Sequence, residues 1–250
     1  MTDRGGCDVA DNAGEAPLPP LWRLLSEAGA AIPLGLSPWQ SPVDCKADGK
    51  GWPVLVLPGF TTDDLSTALL RRSLDRAGFH AYGWEQGFNL GFRVGLVEAL
   101  ERRIASISER EGRKVILLGW SLGGILARAL GNRTPEKIAQ VVSLGSPFSG
   151  DRHRNRAWRL YNLMNDHSVD DVPEGLDFQT KPPVPTIAVW SASDGIVAPA
   201  AARGLGSESD LQIELDVTHF GYGGTADGVR QVVEMLAANL PADETARITG

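Results

Sequence analysis

From residue 52 onward the chain alternates two hydrophobic patterns. Short unbroken apolar runs, as in strands buried on both faces, are separated by longer stretches with apolar residues at helical spacing. The run at 54–57 (Val-Leu-Val-Leu) ends at Pro58-Gly59 and predicts the first strand. Asp63 or Asp64 can cap a following helix to about residue 77, with Leu65, Leu69, Leu70 and Leu74 recurring on one side. A second strand is predicted at 79–82. A long helix follows at 92–110, with Val94, Val97, Leu100, Ile104 and Ile107 on one stripe. The remaining strands are expected at 115–118, 138–144, 186–190 and 211–215, with helices at 122–130 and 229–240. Parallel strands require crossovers, and right-handed crossovers pack. The alternation therefore predicts an α/β fold: a parallel sheet of about six strands with helices on both faces.

Two stretches depart from this rhythm. Residues 1–17 are rich in Gly, Asp and Ala and read as poorly ordered. A helix is expected at 18–32, with Leu21, Trp22, Leu24 and Leu25 on its apolar side, before Pro33, Pro38 and Pro42 force an extended path to Gly51. The expected division is thus an N-terminal extension at 1–51, partly disordered with one helix, and a main domain at 52–250. Residues 147–185 are too many for a plain connection and read as a small cap insertion.

The length suits one α/β domain with a substantial core. A formal net charge of −7 argues against a nucleic-acid partner, because phosphate binding needs concentrated positive charge. Cys7 and Cys45 are too few for a disulfide framework and too far apart for a zinc site, so both read as free thiols. The N-terminus lacks the basic start and apolar run of a secretory signal, and no stretch approaches the roughly 20 apolar residues that span a bilayer. The expected location is cytoplasmic.

The candidate chemistry centres on Gly119-Trp120-Ser121-Leu122-Gly123. Three fixed positions in five carry little information alone. Here a strand enters the motif and a helix leaves it, which is the setting of a nucleophile elbow. The flanking glycines fit because strand and helix leave no room for a Cβ. A serine hydroxyl needs a base to take its proton, nearly always a histidine. Of His80, His153, His167 and His219, the last follows the final strand after a few loop residues, where such a base must sit; His80 reads as an edge residue. A carboxylate should then fix the imidazole. Asp194 follows the strand at 186–190 and gives the order Ser, Asp, His, although Asp-Gly is also a common turn. Asp216, three residues before His219, is badly placed to reach back. Oxyanion donors are expected from the N–H of Leu122 and from the loop after the first strand, with Phe60 first and Thr61 second.

Together these residues resemble the α/β-hydrolase superfamily, and within it the bacterial lipase and esterase-like members. The stretch from Val115 to Arg128 is similar to their nucleophile strand, elbow and helix. Pro58-Gly59-Phe60 is similar to their oxyanion loop, which more often reads His-Gly. Trp120 stands where many lipases carry His, which bears on substrate class and not on mechanism. The resemblance implies an α/β-hydrolase fold and a serine hydrolase acting on a small-molecule carboxylic ester through Ser121, His219 and Asp194, with no cofactor and no metal. The alternative is an acyltransferase or thioesterase using the same triad.

In the cap, Phe148, Trp158, Leu160, Tyr161, Leu163 and Met164 are interleaved with Arg152, Arg154, Arg156 and Arg159. One reading is a lid over an acyl pocket that meets a lipid surface. The other is a helix with a core face and a solvated basic face, favoured for the arginines. Trp158, Met164 and Trp120 are the expected substrate-binding residues.

Overall fold

The computed structural model describes residue 19, residues 21–150 and residues 176–242. Six strands form one parallel sheet: β1 (Pro53–Leu57), β2 (His80–Gly83), β3 (Val115–Trp120), β4 (Ile138–Leu144), β5 (Thr186–Trp190) and β6 (Leu211–Glu214). Their order across the sheet is β2-β1-β3-β4-β5-β6. Each strand lies within two residues of its expected span. Every position of β1, β3 and β4 is buried, which explains why β1 and β3 read as unbroken apolar runs. β4 also carries Gln140 and Ser143, whose side chains donate to the carbonyls of Asn239 and Ile187.

Alternate side chains feed two helical layers. Val54, Val56, Ile116, Leu118 and Val142 pack with Leu69, Leu70 and Leu74 of α2 (Ala68–Arg76). Leu55, Leu57, Val115, Leu117 and Val141 pack instead with Leu100, Ile104 and Ile107 of α3 (Leu96–Glu111) and with Leu126 and Leu130 of α4 (Leu122–Arg133). The period-two alternation of a strand thus builds a core on each face.

Several local expectations are corrected. α2 begins at Ala68 rather than near residue 64. Asp63 accepts from the N–H groups of Leu65 and Ser66 in a preceding turn. Asp64 reaches across to the Trp84 and Glu85 N–H groups. Leu65 is therefore exposed, and so is Val94, which precedes α3. α1 (Leu21–Gly35) continues through Pro33. Proline removes a single donor, and Gly29, four residues back, is exposed and open to water. Trp22 is exposed, while Glu27, Ala30 and Leu34 face inward. After β5 come α5 (Pro199–Arg203), α6 (Gly221–Gly224) and the closing helix α7 (Ala226–Ala238). α1 packs against α6.

The strand order reverses between β1 and β3, so the chain leaves β1 toward one side of the sheet and leaves β3 toward the other. Loops at such a switch point diverge and open a crevice beyond the carboxyl ends of the strands. The loops following β1 and β3 both start there.

One fully buried cation braces the connections below this crevice. Arg128 of α4 donates from Nε to the Phe178 carbonyl (2.7 Å) and from Nη1 to Ser209 Oγ (3.3 Å). Its Nη2 serves the carbonyls of Glu208 (2.8 Å) and Gln179 (3.2 Å), and the guanidinium lies 3.9 Å from the Phe148 ring centroid. Burial pushes its pKa down to about 10, so the cation persists at neutral pH. Arg128→Met would remove four hydrogen bonds, two of them buried, at about 1–3 kcal/mol for each group left without a partner where water cannot enter. Thermal unfolding should show a loss of about 3 kcal/mol, a fall in Tm of roughly 6–12 °C for a chain of this size. An unchanged Tm would refute the bracing role.

Candidate active site

β3 runs directly into Ser121, whose N–H still donates to the Leu144 carbonyl of β4 at 2.8 Å. The chain then turns into α4 within one residue. The turn places Ser121 at φ 54°, ψ −119°, a conformation that costs a non-glycine residue about 1–3 kcal/mol. The two motif glycines make this approach feasible. A Cβ on Gly119 would lie 2.2 Å from the Gly123 carbonyl oxygen, and a Cβ on Gly123 would lie 2.2 Å from that of Leu57. Elbow, helix start and β1 are in backbone contact.

Asp194 and His219 lie on the loops after β5 and β6. Their side chains meet: Asp194 Oδ2 is 2.7 Å from His219 Nδ1, with the two residues 1% and 3% exposed. Asp194 Oδ1 accepts the N–H groups of Ile196 and Val197, both at 2.8 Å, so the carboxylate is fully engaged. Asp216 is exposed and accepts from Ser193 Oγ at 3.0 Å, away from the imidazole. Ser191 ties the two loops, donating from Oγ to the Val217 carbonyl at 2.6 Å.

Trp120 brings His219 to the elbow. Its indole N–H donates to the His219 carbonyl at 3.0 Å, and the two rings lie 5.8 Å apart. Trp120 is itself buried, with its polar atom committed to this bond. The Ser121 hydroxyl forms no hydrogen bond among the described residues. Such bonds are commonly loose before substrate arrives.

The loop after β1 lies against the nucleophile turn: a Cβ on Gly59 would sit 3.4 Å from Ser121 Cβ. Phe60 packs with Leu122, Ile125 and Phe148. The Thr61 N–H is already committed to the Asn89 carbonyl at 2.7 Å, which removes it as an oxyanion donor. Leu122, the first residue of α4, has an N–H with no acceptor within its own helix. Buried Asn89 holds the loop, donating from Nδ2 to the Pro58 carbonyl at 2.7 Å.

Pattern reading missed both Asn89 and Glu27. Glu27 projects from α1 and is 3% exposed. Oε1 accepts from the N–H groups of Gly195 and His219, both at 2.8 Å, and Oε2 accepts from that of Phe220 at 3.0 Å. The available signal was its spacing from Ala30 and Leu34, which puts an acid on the inward stripe of an amphipathic helix. His80 sits on edge strand β2 with Nδ1 2.6 Å from Glu111, far from this chemistry in the fold. Trp158, Met164, the cap arginines, His153 and His167 lie outside the described residues, as does Cys7. Cys45 is a free thiol. Among the described residues no group of three or more His, Cys, Asp or Glu could hold a metal ion, and no helix is long and apolar enough to cross a membrane.

Burial alone would push the His219 pKa down. The Asp194 carboxylate, through its charge and hydrogen bond, and the Glu27 charge outweigh this, and the net direction is upward. Burial, and then the charges of the same two carboxylates, hold the phenol of nearby Tyr222 well above its ordinary pKa.

The model of one protein family, the PGAP1-like alpha/beta domain, matches residues 86–213, just over half of the chain. That span includes Ser121 and Asp194 and ends before His219. No curated protein matches the sequence. Among solved structures, the monoacylglycerol lipase of Paleococcus ferrophilus is 20% identical, with a TM-score of 0.53 over 78% of this chain and 96% of its own. A pyrethroid hydrolase from Sphingobium faniae is 18% identical, with a TM-score of 0.55 over 75% and 97%. The thioesterase domain from the curacin biosynthetic pathway is 13% identical, with a TM-score of 0.55 over 75% and 92%. At these identities the likeness is one of fold: the six-stranded sheet and its helices have the α/β-hydrolase architecture.

The electrostatic balance at His219 can be tested without substrate. In an NMR titration of the four histidines, His219 should titrate above the ordinary value of about 6.5. Asp194→Asn should move its midpoint down, since burial then meets less opposition. A midpoint unmoved by Asp194→Asn would overturn this account.

Proposed function

This chain belongs to the PGAP1-like alpha/beta domain family, within the α/β-hydrolase superfamily, and from that premise we propose that it is a serine hydrolase that cleaves carboxylic esters. The observation that carries the reading is the buried Asp194–His219 pair, 2.7 Å apart, joined through the Trp120 indole to the elbow that carries Ser121.

In this mechanism Ser121 Oγ attacks the ester carbonyl while its proton passes to His219 Nε2. Asp194, bonded to Nδ1, fixes the tautomer and stabilises the imidazolium. The N–H groups of Phe60 and Leu122 hold the oxyanion. As the tetrahedral intermediate collapses, the carbonyl–alkoxy bond breaks and His219 returns the proton to the departing alcohol. Water then attacks the acyl-Ser121 ester by the same route, with His219 as base, releasing the carboxylic acid and restoring the serine. The strained turn supports the first step by holding Oγ clear of the helix, and no cofactor enters. Trp120 supports the reading through the imidazole it holds.

Four measurements test the proposal. A fluorophosphonate should label Ser121 once, and Ser121→Ala should abolish both label and turnover; active protein labelled elsewhere would refute it. Asp194→Asn should lower the rate roughly 10⁴-fold by analogy with the worked triad, and wild-type activity would refute the assignment. The base must be neutral and its pKa is raised, so kcat/KM should fall on acidification through a midpoint above about 6.5. A panel of p-nitrophenyl esters and acyl-CoA thioesters, with and without a competing alcohol, separates ester hydrolysis from thioester cleavage and acyl transfer.

A further inference from the structure

We propose that Glu27 is a positioning residue of this site: its carboxylate clasps the loop of Asp194 and the loop of His219 together from the N-terminal helix. The inference rests on the serine-hydrolase reading and extends it to a segment outside the sheet.

Three observations carry it. First, the bonds are divided between the loops. Gly195 directly follows Asp194, while His219 and Phe220 belong to the other loop, and all three N–H groups converge on one carboxylate. The backbone of the histidine itself is therefore held by α1, while its ring is held by Asp194.

Second, a buried carboxylate is a poor choice for packing alone. Removing it from water is costly unless charge-assisted bonds replace the lost hydration. Among the described residues Glu27 has no ion-pair partner, so backbone N–H groups supply that replacement. An apolar residue at this position would pack without the penalty but would orphan two buried donors, the N–H groups of Gly195 and His219, and a part-buried one, that of Phe220.

Third, α1 is seated closely on the Asp194 loop and on α6, with glycine at both contacts. A Cβ on Gly195 would lie 2.5 Å from the Arg23 carbonyl oxygen, and one on Gly224 would lie 2.9 Å from Leu34 Cβ. Arg23 and Leu34 flank Glu27, so the helix meets the Asp194 loop near one end and the α6 turn near the other.

The clasp has an electrostatic consequence. The ionisable groups facing His219 are Asp194 from the β5 loop, Glu27 from α1 and Tyr222 from α6. The Glu27 charge adds to that of Asp194 in favouring the imidazolium that forms when Ser121 gives up its proton. A purely mechanical brace would lack this effect.

The test uses the full chain with p-nitrophenyl acetate, counting active sites by fluorophosphonate titration so that rates refer to folded enzyme. Glu27→Gln keeps the shape but removes the charge and turns an NH₂ group toward N–H donors. It should lower kcat per active site, by up to about 10²-fold if the pair shifts by an ångström, with KM little changed. The acid limb of kcat/KM should move to lower pH. Glu27→Asp, which keeps the charge on a shorter stem, should recover the acid limb and part of kcat. Wild-type kcat per active site and an unmoved acid limb in Glu27→Gln would overturn the proposal, whatever happens to Tm. If Glu27→Gln does not fold, Glu27→Asp decides: a reduced kcat per site with a wild-type acid limb supports the clasp, and a wild-type kcat overturns it. A wild-type chain that neither labels at Ser121 nor cleaves the ester ends the hydrolase reading and this inference with it.

Discussion

The left-handed backbone at Ser121 is the constraint to which the rest of the site is fitted. A turn costing about 1–3 kcal/mol persists only where its surroundings leave it no room to relax. Here the strand is held by its ladder to Leu144, the helix start lies against β1, and Gly119 and Gly123 take up positions where any side chain would strike backbone. The strain is held by the buried sheet, and the turn presents the serine at its carboxyl edge.

The loops opposite that serine lack such a ladder and are fastened by polar bonds between them. Asn89 grips the β1 loop, Ser191 links the β5 and β6 loops, and the Trp120 indole holds the His219 carbonyl. Each of these side chains is buried, so each bond forms away from competing water and satisfies a backbone group that folding would otherwise leave unpaired. The divergence of the chain at the switch point opens the crevice, and these cross-links give its walls a fixed shape.

Buried charge is used in two different ways. Arg128 meets carbonyl oxygens and an aromatic face and ties together connections of the sheet. Asp194 and Glu27 sit on either side of His219, one at the ring and one at the backbone. Both carboxylates are satisfied by backbone N–H groups, so the field they impose on the imidazole is fixed in direction before any substrate binds. That is the form of electrostatic preorganisation expected to favour a proton-accepting imidazole.

The sequence by itself determined the sheet, because strands buried on both faces are largely apolar and helices between them must carry a stripe. The runs at 54–57, 138–144 and 186–190 mark their strands for that reason. It also singled out Ser121, Asp194 and His219, since each lies at or within a few residues of a strand whose carboxyl end is legible as a local pattern. Helix starts were less legible: Leu65 and Val94 fit the periodicity yet lie outside their helices, where Asp63 and Gly95 shape the preceding turns. Only the tertiary structure decided that Thr61 is committed to Asn89 and that Glu27 bridges two loops more than 160 residues away. Those outcomes depend on which buried donors meet which acceptors once the chain is packed. A glutamate on a helix carries no mark of the backbone N–H groups it will face, because its partners come from other segments and meet it only after the sheet has brought them together.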